Sequence, residues 1–381
     1  MLSTTELLAA ARSDTELVDL GDDAILEGLN VLVEAVNREA RLNERGEANM
    51  RGLIHKQLVN RLRVEDYLKH HPDLLDRPIE RPMFVFGLPR TGTTLFINLL
   101  DSDPARRCFL RWESQESVPP MQTGGRKSGD RYEREKARLE GALVHAPHIA
   151  AIHYEEPDGP TECQFSMTQS FCAQVFESNT YVPTYRKWFL EADYLPAFRY
   201  HKRLLQLLQE NEGGRWTLKN PWHPLFLDAL TTVYPDAQLV MTHRDPLEVV
   251  GSACSLIKEV RKMLSDTVDL DAIGTSMMEM FEIMIARSEK FRAEHGPDAI
   301  YDVLYTDLMR DPIGAMKGLY DHFGERWTAA VESGMRAHLD ANPKGRHGKH
   351  TYDIGEFGIT KAQVRERFAD YCNKYEIPLR D

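Results

Sequence analysis

Cysteine is scarce in this chain. Five occur in 381 residues, at Cys108, Cys163, Cys172, Cys254 and Cys372, an odd number with no CxxC pair. That excludes a disulfide scaffold and the usual zinc-finger spacings, and leaves free or buried thiols in a reducing compartment. Long apolar runs are missing too. Nothing approaches the roughly 20 residues that cross a bilayer, and Met1 leads into an acidic, helix-like stretch where a signal peptide would carry basic and then apolar residues. The expectation is a cytoplasmic protein with no stable membrane insertion. Basic blocks are also absent. Lys and Arg total 47 against 59 Asp and Glu, a net charge of −12, which makes nucleic acid a poor partner. A nucleotide pocket needs only a few local cations, so the acidic total does not oppose one. No metal is expected. His70 and His71 diverge on a helix, and His223 has no neighbouring ligand in sequence. Internal repeats and low-complexity tracts are lacking.

What is present reads as an α/β protein. Residues 1–80 are helical in pattern: Leu20, Ile25, Leu29, Leu32, Val33 and Val36 form one stripe, and Leu53, Ile54, Leu58, Leu62 and Tyr67 continue it. They hold no catalytic cluster and are read as a helical appendage, with a lid or a homodimer contact as the functional alternative. Residues 81–381 then form the main domain. Short apolar strands at Met83–Phe86, Trp216–Leu218, Ala237–Thr242 and Ile300–Tyr305 alternate with helical segments. Strands alternating with helices imply a mainly parallel sheet covered on both faces. Residues 124–138 read as a mobile basic loop running into a solvated helix. The aromatic stretch from Phe165 to Trp188 reads as core, or as the wall of a pocket.

The first strand ends in Gly87-Leu88-Pro89-Arg90-Thr91-Gly92-Thr93-Thr94. Gly87 and Gly92 have the glycine spacing of a Walker A loop. Such a loop wraps a phosphate because backbone N–H groups converge on it and the next helix adds its positive end. The Walker lysine position holds Thr93, however. The positive charge lies inside the loop at Arg90, whose planar guanidinium can bridge two anionic oxygens. A second pair, Arg244 and Ser252, lies eight residues apart. One is at a strand end and the other is in the following helix, with Pro246 suited to that helix's first turn.

Phe84 to Leu95 resembles the 5′-phosphosulfate loop of sulfotransferases that use 3′-phosphoadenosine-5′-phosphosulfate (PAPS). It is most similar to the branch with arginine in the loop, which includes bacterial enzymes and the tyrosylprotein sulfotransferases. His243 to Ser252 resembles the segment whose Arg and Ser hold the 3′-phosphate. The resemblance implies a P-loop-like parallel sheet and PAPS as co-substrate. It assigns nucleotide contacts to Pro89, Arg90, Thr91, Gly92, Thr93, Thr94, Arg244 and Ser252, and extends to Tyr305 and to Lys344 and Arg346 in a C-terminal basic loop. It makes Arg90 and Lys219 the cations that stabilise the transferring group. A Trp-Glu pair follows the first helix in that branch, and Trp112-Glu113 stands here, so Glu113 is the expected base. Glu116, His153, Glu156 and Glu162 are further candidates.

The acceptor implied is a small-molecule, lipid or carbohydrate alcohol. Two other readings remain open. One is a P-loop small-molecule kinase, opposed by the missing Walker lysine. The other is a nucleotide sensor without turnover, opposed by Arg90, Lys219 and Glu113 occurring together.

Overall fold

Four consecutive apolar residues ending in glycine make Met83–Gly87 a strand buried along its whole length. In the structure, a computed structural model describing residues 1–145, 155–343 and 352–380, this is β1, the centre of a five-stranded sheet. The other strands are β2 (Arg106–Cys108), β3 (Arg215–Lys219), β4 (Gln238–His243) and β5 (Tyr301–Leu304). Their order is β2-β3-β1-β4-β5, and every pairing is parallel. Val85 sits opposite Lys219 on one side of β1, and Gly87 opposite Thr242 on the other. The chain thus builds two strands to one side of β1 and then two to the other. Open parallel sheets of this kind bind ligands at the carboxyl ends of the strands, where the order reverses.

Four of the five strands match the sequence expectation, with ends shifted by at most one residue. Tyr305 begins a helix and does not end β5. The strand that escaped is β2. Its Arg-Arg-Cys carries no apolar pattern, because this edge strand buries its arginines in ion pairs: Arg106 meets Glu325, and Arg107 meets Glu113.

The N-terminal region is three helices, Thr4–Thr15, Ile25–Glu39 and Glu44–His70. They share one continuous apolar core with the sheet, running from Leu2 to Ile377. A buried cation ties the third helix to the body. Arg61 donates to the carbonyls of Leu20 at 2.7 Å and Gln169 at 3.2 Å and to Ser170 Oγ at 3.0 Å, and stacks over the Tyr200 ring at 4.2 Å. The aromatic stretch is mostly core: Phe171, Phe176 and Tyr185 are fully buried. The five cysteines are buried and unpaired. No helix among the described residues is long and apolar enough to cross a membrane.

Behind β1 lies a buried imidazole. His201 Nδ1 is 2.6 Å from the Tyr234 hydroxyl, and burial pushes its pKa down from 6.5 to about 3. Between those values the unfolded chain binds a proton that the folded chain refuses. Stability is therefore complete above about pH 6.5 and falls as pH drops towards 3, by up to about 1.4 kcal/mol per pH unit for one proton. Urea unfolding at pH 7, 5 and 4 checks this: the loss should be shallower in His201→Gln than in the parent.

Candidate active site

The loop after β1 is held in a shape that few residues allow. Gly87 has φ 151° and Gly92 φ 93°. A Cβ on Gly87 would lie 2.4 Å from the Thr242 carbonyl oxygen, and one on Gly92 would lie 2.9 Å from the Tyr305 ring. Arg90 also adopts a left-handed conformation, φ 71°, which costs energy in a residue with a side chain. Thr91 pins the loop from beneath. Its hydroxyl donates to the Leu88 carbonyl at 2.7 Å and lies 2.6 Å from the Thr242 hydroxyl. The Thr91 side chain is fully buried and does not line the cavity. The helix Thr93–Asp101 starts directly after Gly92 without a side-chain cap. Its first N–H groups and its dipole are thus available to an anion.

Two arginines meet above this loop. Arg90 Nε donates to Ser252 Oγ at 3.1 Å, and Arg244 Nη1 donates to the Arg90 carbonyl at 2.8 Å. Arg244 is braced by Glu248, at 3.1 and 3.0 Å, and lies 4.3 Å over the Tyr305 ring. Burial, and then the like charge of Arg244, lowers the Arg90 pKa from its ordinary value. An anion bound between them would offset the repulsion of the two cations. Asp245 caps the helix Pro246–Lys262 by accepting from Leu247 N–H at 2.9 Å. Its carboxylate is clasped in turn by Arg365, at 2.6 and 2.9 Å, and by the Arg380 N–H at 2.9 Å.

At the end of β3, Lys219 is almost wholly buried. Its Nζ meets Glu162 Oε1 at 2.9 Å. The backbone reinforces this pair: Cys163 N–H donates to the Lys219 carbonyl at 2.8 Å, and Glu162 and Lys219 form a parallel bridge. Lys219 reaches the cavity through Glu162, which lines it.

That cavity, about 420 Å³, runs from Pro89, Arg90, Gly92, Thr93, Thr94, Arg244 and Tyr305 to an apolar end. The apolar wall is Phe165, Val175, Leu256, Ile257, Val260 and Met263, with Gln164, Gln174, Ser178 and Asn179 among them. Sequence reasoning missed most of this wall. Leu256, Val260 and Met263 recur at helical spacing and were a legible stripe, whereas the glutamines carried no signal.

Glu113 does not join the site. Its carboxylate is fully buried, accepts from Arg107 at 2.8 and 3.2 Å, and caps the Leu110 N–H at 3.4 Å. Glu113, the expected base, lines no part of this cavity and sits as the internal counter-ion of Arg107. Burial raises its pKa, with Arg107 pulling the other way. Glu116 is engaged by Arg134 at 2.7 Å, and Glu156 is exposed; neither lines the cavity. The basic loop is tied to the body at Arg126. Arg126 pairs with Asp101 and donates to the Asp158 carbonyl at 3.0 Å. His153, Lys344 and Arg346 lie outside the described residues.

A glycine loop at the switch point of a parallel sheet, with cations in the loop and on the next strand, defines a P-loop-like α/β fold. The profile of the sulfotransferase family matches residues 82–329, and the chain belongs to that family. Its fold follows the sulfotransferase STF9 from Mycobacterium avium with a TM-score of 0.93 and 32% identity, covering 100% of this chain and 98% of that one. It is also similar to the sulfotransferase STF1 from Mycobacterium tuberculosis H37Rv, with a TM-score of 0.87 and 32% identity over 97% and 99% of the two chains. A shorter match, 28% identical over 108 residues, is to omega-hydroxy-beta-dihydromenaquinone-9 sulfotransferase Stf3 of Mycobacterium bovis and M. tuberculosis. That match spans 28% of the relatives' length.

Because Glu113 neutralises a buried arginine, Glu113→Ala should cost stability. Leaving a buried charge without its partner costs about 3–5 kcal/mol, read as a lower denaturation midpoint. An unchanged midpoint would contradict the counter-ion role.

Proposed function

We propose that the protein transfers a sulfuryl group from PAPS to the hydroxyl of an apolar, lipid-like alcohol. The observation that carries this reading is the meeting of Arg244 and Ser252 at Arg90, beside the glycine loop. It joins two separate phosphate-binding segments into one double anion site, as a nucleotide phosphorylated at both 5′ and 3′ positions requires. The residues fit such a ligand. Gly87 and Gly92 let the loop pack against Thr242 and Tyr305, where a Cβ would collide, and Arg90 and Arg244 supply charge-assisted donors. The Stf3 enzymes, named for a lipid quinone alcohol, support an apolar acceptor, and so does the row of apolar side chains along the cavity.

The roles follow. Glu162, poised on the cavity wall, replaces Glu113 as base and takes the proton of the acceptor hydroxyl. The hydroxyl oxygen bonds to sulfur as the bond from sulfur to the bridging phosphate oxygen breaks. Arg90, with the first N–H groups of the Thr93–Asp101 helix, stabilises the charge that develops on the bridging and sulfonate oxygens, and Lys219, behind Glu162, acts through that carboxylate. The remaining work is positioning the two reactants in line. No step requires a metal.

Thermal unfolding with PAP, the desulfated nucleotide, against ADP with magnesium tests the donor. At about 100 times its Kd a ligand adds roughly 2.7 kcal/mol of stability. PAP should raise the midpoint, Arg244→Ala should abolish the shift, and stabilisation by Mg-ADP alone would turn the reading into a kinase. For the chemistry, Glu162→Gln should keep the PAP shift while lowering kcat by about 100-fold or more. Full activity in that variant would remove Glu162 as base.

A further inference from the structure

Ser252, which accepts from the Arg90 guanidinium at 3.1 Å, opens a row. Leu256, Val260 and Met263 follow it along the helix Pro246–Lys262 at steps of four, four and three residues. Such steps keep side chains on one helix face. Other apolar residues of this helix, among them Val249, Val250, Cys254 and Ile257, pack into the protein core. Leu256, Val260 and Met263 do not. They are half-buried, line the cavity, and stand outside every apolar core of the described residues. The row stops at Met263, which caps the helix. The next carbonyl, of Leu264, accepts from the Asn43 N–H at 3.0 Å and turns the chain to the N-terminal helices. The row is also only one side chain wide. Beside it runs the short helix Val175–Asn179, tied to it where Arg261 Nη2 donates to the Glu177 carbonyl at 2.7 Å. On that side Gln174, Ser178 and Asn179 line the cavity, and Gln174 accepts from the Ser178 hydroxyl at 2.6 Å. Gln164, by the proposed base, donates to Glu162.

We infer that Leu256, Val260 and Met263 measure the acceptor. The substrate is an unbranched alkyl alcohol whose chain lies lengthwise on this helix, and Met263 marks the longest chain that still gains from contact. The inference deepens the sulfuryl-transfer reading and rests on it. The alkyl chain is the occupant because the row is continuous with the reaction end: one cavity holds Arg90, Glu162 and all three apolar residues. A helix rises about 1.5 Å per residue, so the row from Leu256 to Met263 is about 10 Å long. An extended chain of tetrahedral atoms advances about 1.2 Å per bond, so about eight methylenes cover that length. Carbons between the hydroxyl at Glu162 and Leu256 bring the fully served acceptor to about ten to twelve carbons. A fused-ring alcohol is wider than the row. It would press on the polar side chains of Gln174, Ser178 and Asn179 and strip their water without replacing it. Chain beyond Met263 leaves the helix and gains nothing more.

The test is a series of straight-chain primary alcohols, from 1-butanol to 1-tetradecanol, with saturating PAPS. Each methylene laid on the row should raise kcat/KM about fourfold, and the rise should level off at about ten to twelve carbons. Dissociation constants of the same alcohols from the PAP complex should fall by the same steps, which reads the row without turnover. In Val260→Trp the indole fills the row three residues before its end, so the plateau should come about four methylenes earlier. A flat series overturns the inference. So does a rise that continues unbroken to 1-tetradecanol, or an unmoved plateau in a Val260→Trp protein that PAP still stabilises. PAP stabilisation of the parent reports the donor site separately. If it is present and the break in chain length is absent, only the present inference fails. If it is absent, the sulfuryl-transfer reading fails and takes the inference with it.

Discussion

The pairing of β1 with β3 on one side and β4 on the other is the constraint on which the site depends. Val85 opposite Lys219 and Gly87 opposite Thr242 bring three strand ends to one level. From that level the glycine loop, the Lys219–Glu162 pair and Arg244 all project towards one cavity. None of the three is adjacent in sequence to another. The parallel ladder converts a long separation along the chain into hydrogen-bonding reach, and the Thr91–Thr242 contact at 2.6 Å locks the loop to the neighbouring strand.

Buried charge is the second organising element. Arg61, Arg106 and Arg107 lie almost wholly inside the protein, each with partners. Stripping water from an arginine is costly, and good geometry with several acceptors offsets it only when every partner stays in place. These pairs fasten the N-terminal helices and the β2 edge to the body. They act on architecture, whereas Arg90 and Arg244 lie on the cavity with their charges close together. The contrast separates an arginine buried within the fold from one that faces a cavity.

The half of the cavity proposed for the nucleotide was legible in the sequence because it is local. Pro89, Arg90, Gly92, Thr93 and Thr94 sit in one loop whose glycine spacing follows from backbone geometry, and Arg244 and Ser252 sit in one strand-to-helix turn. The sheet was legible wherever strands were apolar; β2 was not, because its arginines are buried by pairing and an ion pair leaves no hydrophobic period. The acceptor half was the hardest to read. Glu113 and Glu162 are both glutamates in polar surroundings along the chain. Only three-dimensional placement shows that the first neutralises Arg107 and the second faces the cavity beside Lys219. Gln164 and Gln174 acquire meaning only from what their amides touch.

The clasp on Asp245 has a consequence in time. Arg365 and the Arg380 backbone reach this carboxylate from 120 and 135 residues further along the chain. Contacts of such separation must overcome a large loop-closure entropy and form slowly compared with local ones. The helix that presents Ser252 and Glu248 and its Asp245 cap form from local contacts, whereas the clasp on that cap needs the C-terminal residues. The β1–β4 ladder, Met83 opposite Gln238, closes a loop at least as long, so the chain's last turns belong to the assembly of the cavity as fully as the sheet does.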